Sequence, residues 1–399
     1  MTDAQAGLLS MPTARGCLTD PASELQALRE ERPVARLSFP DGTEGWLVTS
    51  HGLARAVLSD ARFEQWSGLP PAGDPAVIAA AAEFRQDPIW SGSLIDHDPP
   101  EHTRLRRMQA GFFTPGRLSG YQDAVRRICA DRLDAMESAG HPVDFVATFS
   151  SPFASIVLCA LLDVPEDDRD RFERLTDSSV FEFTTADFDD LRSYMYDVVA
   201  RKRAQPGTDV LSQLIGQGEL SDDELAGATL KLFTAGHDTS SMQLSASMFA
   251  LLARRQHWEM LTEDPSRIRA AVEELLRYCT IVQWTPETRR ATEDVELGGV
   301  LIRAGEPVTI SLPAANRDGA KFEKPDQLDL TRNAIGHLAF GHGRHMCLGQ
   351  HLVRLEMQVA LEGLVARFPS LRLAVPPDQV EMRAAGLVIS GPRRLPVAW

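Results

Sequence analysis

The sequence has few of the features that mark secreted, membrane-spanning or nucleic-acid-binding proteins. Its five cysteines lie far apart without a Cys-x-x-Cys pair, which argues against a disulfide framework and favours a reducing compartment. The first forty residues contain no apolar signal segment, and no apolar run approaches the roughly 18 residues of a membrane helix. The net charge of −15 argues against broad nucleic-acid binding. We therefore expect a cytoplasmic protein with no membrane anchor and no nucleic-acid partner.

The remaining composition is that of a globular protein with ample core, at 43% hydrophobic and 24% charged residues. Helical patterns dominate, and short alternating segments predict a hairpin over 34–48 and strands over 294–310 and after 371. The sequence therefore predicts a mainly α fold with small β-sheets (α+β). Helices are predicted over 24–31, 53–58, 121–138, 145–162, 166–183, 187–204, 209–215, 222–255, 268–279 and 348–368, with a further one after the Asp-Pro-Pro run at 98–100.

One predicted helix is long enough to cross the centre of the protein. Ser221 and Glu224 form a capping box, and the helix they open runs from about 222 to 255, or roughly 50 Å. Its middle is apolar except at 235–240, where Asp238 and Thr239 stand next to a mid-helix glycine. We expect the Thr239 hydroxyl to bond the carbonyl of Ala235. The stretch is either a satisfied polar patch or a groove that holds a small polar reactant.

A glycine-rich loop at 340–349 presents Cys347 immediately before another predicted helix. Backbone N–H groups and the helix dipole at such a position favour an anion, so they are expected to lower the thiol pKa. The two glycines on its N-terminal side would let a large flat group approach the backbone. Cys347 is then a nucleophile or a metal ligand, unless it is a buried and inert cysteine.

Two further pairs of residues are weak signals when taken alone. His102 and Arg106 stand at i and i+4 on one helix, where a solvated basic face is the simpler interpretation. Glu274 and Arg277 stand at i and i+3, where an ordinary surface ion pair is the simpler interpretation.

Taken in order, these signals resemble the bacterial cytochrome P-450 family of haem-thiolate monooxygenases over nearly the whole length. Phe340, Gly343, Cys347 and Gly349 match the family's haem signature, 235–240 matches its oxygen-activation motif, and 274–277 matches its Glu-x-x-Arg pair. The segments 98–106, 289–299 and 328–350 are also similar to it. One departure is Gln327, where the family usually has an arginine that joins this pair. Arg332 or His337 is expected to substitute for it.

The resemblance implies one domain over 1–399 that binds haem b, with the long helix over the haem. Cys347 would be the axial ligand of the iron. The partners of the haem propionates would be His102, Arg106, Arg289 and His345. Further contacts with the haem would come from Ala235, Phe340 and Gly349. Asp238 and Thr239 would manage the protons needed to activate O2. Glu274 and Arg277 would only support the cysteine loop.

The resemblance also implies electron delivery from NAD(P)H through a ferredoxin reductase and a ferredoxin, because no flavin or iron–sulfur segment is visible. Basic residues that would dock an acidic ferredoxin are Arg104, Arg107, Arg344 and Arg354, although they are otherwise a scatter of solvated arginines. The substrate is expected to be a lipophilic small molecule, such as a macrolide or another secondary metabolite. Its contacts would include Leu232, Trp284 and Val388, with Trp284 equally able to be a packing residue.

Two other functions remain open at this point. A haem-thiolate protein could catalyse peroxide-driven oxidation, oxidative coupling or dehydration, although the Asp238–Thr239 pair argues against these. The protein could also be a zinc-thiolate protein or a purely structural one. Zinc is disfavoured because Cys347 is the single candidate ligand and has no second cysteine near it to complete a set of ligands.

Overall fold

The computed structural model describes residues 8–13, 20–66, 86–165, 168, 185–285, 288–384 and 388–399. Its helices are α1 (Glu24–Glu31), α2 (His51–Ser59), α3 (Glu101–Ala110), α4 (Pro115–Leu118), α5 (Gln122–Ala139), α6 (Ser151–Leu162), α7 (Thr185–Ala204), α8 (Val210–Gln217), α9 (Asp222–Ala253), α10 (Arg255–Glu263), α11 (Ile268–Tyr278), α12 (Leu312–Asn316) and α13 (Gln350–Arg367). Short 3-10 turns and one π turn join several of them. Most of the predicted helix over 166–183 lies outside the described residues.

The strands are short and form three sheets, so the predicted mainly α fold with small β-sheets is confirmed. They are β1 (Leu9–Ser10), β2 (Val34–Ser38), β3 (Glu44–Val48), β4 (Phe63–Trp66), β5 (Val143–Asp144), β6 (Thr288–Ala291), β7 (Val295–Leu297), β8 (Val300–Ile302), β9 (Pro307–Ile310), β10 (Arg372–Leu373) and β11 (Pro396–Ala398). The largest sheet has the order β1-β2-β3-β9-β6-β4, and the others are β10-β11-β5 and β7-β8. The predicted hairpin is β2–β3, which turns at Gly42 with a φ of 84°.

Helix α9 is the centre of the largest hydrophobic cluster. Its predicted capping box is present: the Ser221 hydroxyl accepts from the Glu224 N–H at 3.2 Å, and the Glu224 carboxylate accepts from the Ser221 N–H at 2.9 Å. At 32 residues the helix is about 48 Å long, close to the predicted length. Helices α6 and α7 pack along it, and most of its side chains are buried. Among the described residues, no helix is long and apolar enough to span a membrane.

The segment 88–92 packs directly on the backbone of α9 through two glycines. A Cβ on Gly227 would lie 1.8 Å from the Ile89 carbonyl oxygen, and one on Gly92 would lie 2.0 Å from the Glu224 carbonyl oxygen. A glycine inside a helix normally costs about 1 kcal/mol relative to alanine. Here the glycines permit an approach that no side chain allows.

We predict that Gly227→Ala lowers the free energy of unfolding by about 1–3 kcal/mol, because the new methyl group forces the two segments apart. The matched control is Gly216→Ala in α8, where a Cβ meets nothing within 4 Å and helix propensity favours alanine. Thermal or urea unfolding of both variants checks this. Equal or greater stability of Gly227→Ala contradicts the close approach of segment 88–92 to α9.

Candidate active site

The cysteine loop is held by its own backbone and by helix α2. The Cys347 N–H donates to the Phe340 carbonyl at 2.8 Å, which closes the loop. Gly341 and Gly343 have φ values of 68° and 73°, a region that favours glycine. A Cβ on Gly343 would lie 2.4 Å from the Leu58 carbonyl oxygen. Gly343 is therefore required by the approach of α2, whereas the sequence suggested only the approach of a flat group.

The sulfur of Cys347 lies at the start of α13, as predicted. The backbone N–H groups of Gly349 and Gln350 donate to it, and each of these bonds lowers the thiol pKa. Burial has the larger and opposite effect, so the pKa of Cys347 is raised overall. The prediction that the loop alone lowers this pKa is therefore wrong, because the helix start does not outweigh desolvation. A coordinated metal ion would deprotonate the thiol outright.

Two of the predicted propionate partners come together beside the loop. The imidazole rings of His102 and His345 lie 4.1 Å apart between centroids. Burial, reinforced by neighbouring arginines, lowers the pKa of His102 to about 4 and that of His345 to about 2. The Nε2 atoms of both rings are buried without a hydrogen-bond partner. Buried polar atoms in this state are costly, so the arrangement indicates a polar group that the chain itself does not supply.

Arginines surround the two imidazoles. Arg106 donates to the Met346 carbonyl at 2.7 Å, next to the cysteine, and Arg289 is buried on β6. Arg106, Arg289 and Arg344 all lower the pKa of His102 through their charge. Such a set of donors suits the two carboxylates of a haem, and Cys347 suits its iron. The residues present therefore fit a haem, with its propionates on the His102–His345 side.

One face of α9 is accessible, although the residues on either side of this face are buried. Leu232, Ala235 and Thr239 lie on this face, between the buried Phe233 and His237. The Thr239 hydroxyl donates to the Ala235 carbonyl at 2.6 Å, as predicted. The face thus presents a small residue and an alcohol side by side, which leaves room for a reactant against the helix.

The acid next to this alcohol has a partner that the sequence did not reveal. Arg383 donates to both carboxylate oxygens of Asp238, at 2.9 and 2.6 Å. Both side chains are largely buried. The two residues are 145 positions apart, so no periodicity links them. Asp238 is therefore held in place by the C-terminal segment.

The predicted Glu274–Arg277 pair is fully buried and not a surface bridge. Arg277 donates to both Glu274 oxygens, at 2.7 and 2.8 Å. Its remaining donors bond three carbonyls of the segment before the loop: Asn316, Pro325 and Gln327. Arg332 donates to Glu274 at 3.2 Å. It therefore joins the Glu274–Arg277 pair in place of the arginine that the family usually has at the position of Gln327.

His337, the other candidate to join the Glu274–Arg277 pair, instead belongs to a second group of ion pairs around Glu273. Each of these two groups acts as a brace for the cysteine loop. Glu273 accepts from His337 at 3.2 Å and from Arg354 on α13 at 2.6 and 3.0 Å. Burial would raise the pKa of Glu273, but these bonds outweigh it and lower the pKa to about 2. Adjacent glutamates thus fix the segment before the cysteine and the helix after it. Sequence reasoning missed Glu273 because it resembles any exposed helical glutamate.

The proposed substrate contacts are only partly described. Leu232 is half-buried on the accessible face of α9. The Val388 carbonyl accepts from the Gln283 N–H at 2.9 Å, which fixes the C-terminal turn. Trp284 is buried in the cluster between α1 and the β2–β3 hairpin, so packing accounts for it without a substrate. Further candidates for substrate contacts, the loop over 67–85 and the phenylalanines at 181 and 183, lie outside the described residues.

The arrangement so far fits a haem-thiolate site, and comparison with known proteins identifies the family. A sequence profile of the family Cytochrome P450 matches residues 178–393. The chain is 42% identical to Cytochrome P450 105C1 of a Streptomyces species, covering 99% of this chain and 100% of that one. It is 38% identical to Mycinamicin IV hydroxylase/epoxidase of Micromonospora griseorubida, covering 93% and 94%. The crystal structure of CYP105P1 in complex with filipin I matches with a TM-score of 0.88 and 36% identity over 98% of this chain and 99% of that one.

The chain belongs to the cytochrome P450 family. It is a bacterial haem-containing monooxygenase that uses O2, and it has the fold of that family with α9 as the long central helix.

We predict that Arg332→Ala destabilises the protein, because it removes a charge-assisted bond to the buried Glu274 carboxylate. The expected loss is about 1–3 kcal/mol in the free energy of unfolding. Gln327→Ala is the matched control, because Gln327 contributes to the brace through its carbonyl. Unfolding curves of the two variants test this. A greater loss for Gln327→Ala would show that the glutamine side chain forms the brace.

Proposed function

We propose that this enzyme inserts one oxygen atom of O2 into a lipophilic small molecule, with electrons that pass from NAD(P)H through a ferredoxin reductase and a ferredoxin. The observation that carries the proposal is the acid–alcohol pair of Asp238 and Thr239 in the middle of an otherwise apolar helix. Asp238 is held by Arg383, and next to it Thr239 keeps its hydroxyl on the accessible face. That position suits proton handling better than structure.

The roles of the chain's own residues follow from these contacts. When bound, thiolate-ligated haem supplies an iron that activates O2 and favours cleavage of its O–O bond. Cys347 would hold that iron, with His102, Arg106, Arg289 and His345 on the propionates. The Thr239 hydroxyl donates to Ala235, so its oxygen is left to accept from a water on the accessible face.

Asp238 would supply protons to that water. A carboxylate is a suitable relay when it can reach both solvent and the reacting groups. Arg383 holds both of its oxygens, so proton transfer requires that one of these bonds loosens. Arg383 is thus a positioning residue for Asp238.

We predict that Thr239→Ala uncouples the enzyme, because a water on the accessible face loses the hydroxyl that orders it. Electron donor is still consumed, but product falls several-fold and hydrogen peroxide rises. Thr229→Ala is the matched control: Thr229 also bonds the carbonyl four residues back, at 2.7 Å, but its side chain is buried and not on this face. Product, peroxide and donor are measured in the same turnover. Unchanged coupling in Thr239→Ala refutes the assignment.

The proposed substrate class rests on the apolar character of the candidate contacts and on the relatives. Leu232 and Val388 offer only apolar surface. Similar proteins include one named as a hydroxylase/epoxidase of mycinamicin IV and one crystallised with filipin I. A sizeable secondary metabolite, such as a macrolide, is the substrate we propose on these grounds.

The ferredoxin site requires a revision of the predicted basic patch. Arg104 pairs with Glu101 and Glu224, Arg107 pairs with Glu219, and Arg354 pairs with Glu273. Much of that charge is therefore neutralised within the protein. A groove of ≈910 Å³ beside α13 is a better candidate. Its lining includes Arg269, which forms no ion pair within the described part of the chain, and Arg332 and Arg354, whose charges are partly offset by Glu274 and Glu273. Ile335 at its edge is 71% exposed.

An exposed apolar residue beside cations suits a transient complex with a small acidic protein. We propose that ferredoxin docks in this groove, next to the helix that follows Cys347. Because ferredoxin is expected to be an intracellular electron carrier, we propose the cytoplasm as the compartment. The thiols of Cys129, Cys279 and Cys347, which form no disulfide, are consistent with it.

We predict that Arg269→Glu slows association with an acidic ferredoxin and flattens its salt dependence, because steering charges act through screened electrostatics. A fall of about tenfold in the association rate at low salt is expected. Arg372→Glu on β10 makes the same charge change outside the groove and is the control. Stopped-flow reduction over a salt series measures both variants. Equal effects in the two variants refute docking in the groove.

A further inference from the structure

We infer that Lys231 binds an anionic oxygen group of the substrate, so that the substrate is an amphiphilic acid such as a lipophilic carboxylic acid. This inference rests on the proposed function, since it concerns the molecule that the accessible face of α9 receives. It adds a charged contact to a site whose other candidate contacts are apolar.

The position of Lys231 on α9 places it on that face. It precedes Ala235 by four residues and Thr239 by eight, so the three side chains lie in one row along the helix. Lys231 and Leu232 are both half-buried, whereas Leu230 and Phe233 beside them are buried. Along the helix axis the backbone of Lys231 is therefore about 6 Å from that of Ala235 and about 12 Å from that of Thr239.

The ammonium group is held by segment 88–96, which packs on α9 through Gly92 and Gly227. Lys231 Nζ lies 3.2 Å from Asp96 Oδ2 and 4.4 Å from the centroid of the Trp90 ring. The Ser93 hydroxyl donates to the same oxygen of Asp96. These contacts fix the cation at one place, which reduces the entropy that a ligand would lose in ordering it.

These contacts do not use all the N–H donors of the ammonium group. It has three N–H donors, of which Asp96 takes one and the Trp90 ring faces another. The side chain of Lys231 remains 23% exposed. A donor is thus left for an acceptor that enters along the face of α9.

Charge decides which acceptor is favoured. A carboxylate in contact with Lys231 lies closer to the ammonium than to Asp96, and Coulomb attraction falls with distance, so the attraction exceeds the repulsion. Lys231 also lies in a half-buried position, where such bonds are stronger than in water. Arg383, a cation further along this helix, is engaged by Asp238.

The geometry limits the substrate further. If its anionic group contacts Lys231 and a carbon atom is oxidised beside Thr239, the two are separated by about 12 Å or more, because helical side chains tilt toward the N-terminus of their helix. The intervening part meets Leu232 and Ala235, so it is apolar. A fatty acid, or a larger metabolite with a carboxylate at one end, has this shape.

The test uses three probes with one alkyl chain: dodecanoate, its methyl ester and dodecyltrimethylammonium, none of which carries an amine that could ligate iron. Each is titrated by calorimetry into haem-loaded wild type, Lys231→Met, Lys231→Arg and Lys321→Met. Methionine keeps the length of the lysine without its charge, arginine keeps the charge, and Lys321 is an exposed lysine on a segment remote from α9.

We expect wild type to bind dodecanoate about tenfold more tightly than the methyl ester. Lys231→Met should lose that preference while its affinity for the ester stays within about twofold, and the other two variants should keep it. Equal affinity of wild type for acid and ester, preference of wild type for the quaternary ammonium, or an unchanged preference in Lys231→Met overturns the inference.

The proteins are first shown to give the carbon monoxide spectrum of thiolate-ligated haem. A negative result in calorimetry then refutes the role of Lys231 alone, whereas a failed spectrum refutes the proposed function.

Discussion

The buried ion pair between Glu274 and Arg277 is the interaction on which the rest of the site depends. Both side chains are completely buried. Charges in such a place are tolerated only when every donor and acceptor is used, and removal of one partner typically costs 3–5 kcal/mol. This requirement fixes the segment over 316–332 on one side of Cys347. The neighbouring Glu273 fixes His337 and Arg354, and so the loop and helix α13 are held as a unit.

The charges of the site form a pattern that the chain leaves incomplete. Burial raises the pKa of Cys347 and keeps His102 and His345 neutral, so none of the three carries its functional charge in the protein alone. Iron would make the thiol an anion, and carboxylates would favour protonated imidazoles or accept from neutral ones. One group with both a metal and carboxylates satisfies all three, and haem is such a group. The fold thus leaves the buried Nε2 atoms of His102 and His345 without hydrogen-bond partners at the place where the haem propionates would lie.

What the sequence could predict is local. The capping box of α9, the Thr239 bond to Ala235 and the Glu274–Arg277 pair are relations of three or four residues along a helix, where geometry follows from spacing. The sequence did not reveal the roles of Arg383 and Lys231, because their partners Asp238 and Asp96 lie 145 and 135 positions away along the chain. The direction of the Cys347 pKa was wrong for a related reason: the N–H donors follow from local sequence, but desolvation depends on how the whole protein packs around the sulfur.

The central claim is that Cys347 ligates haem iron, and ligation by sulfur is measured most directly in the carbon monoxide complex of the reduced, haem-loaded protein. We expect the red-shifted Soret band that thiolate ligation produces, together with its loss in Cys347→His. A wild-type band at the position of histidine-ligated haem, or failure of the protein to take up haem at all, would contradict it.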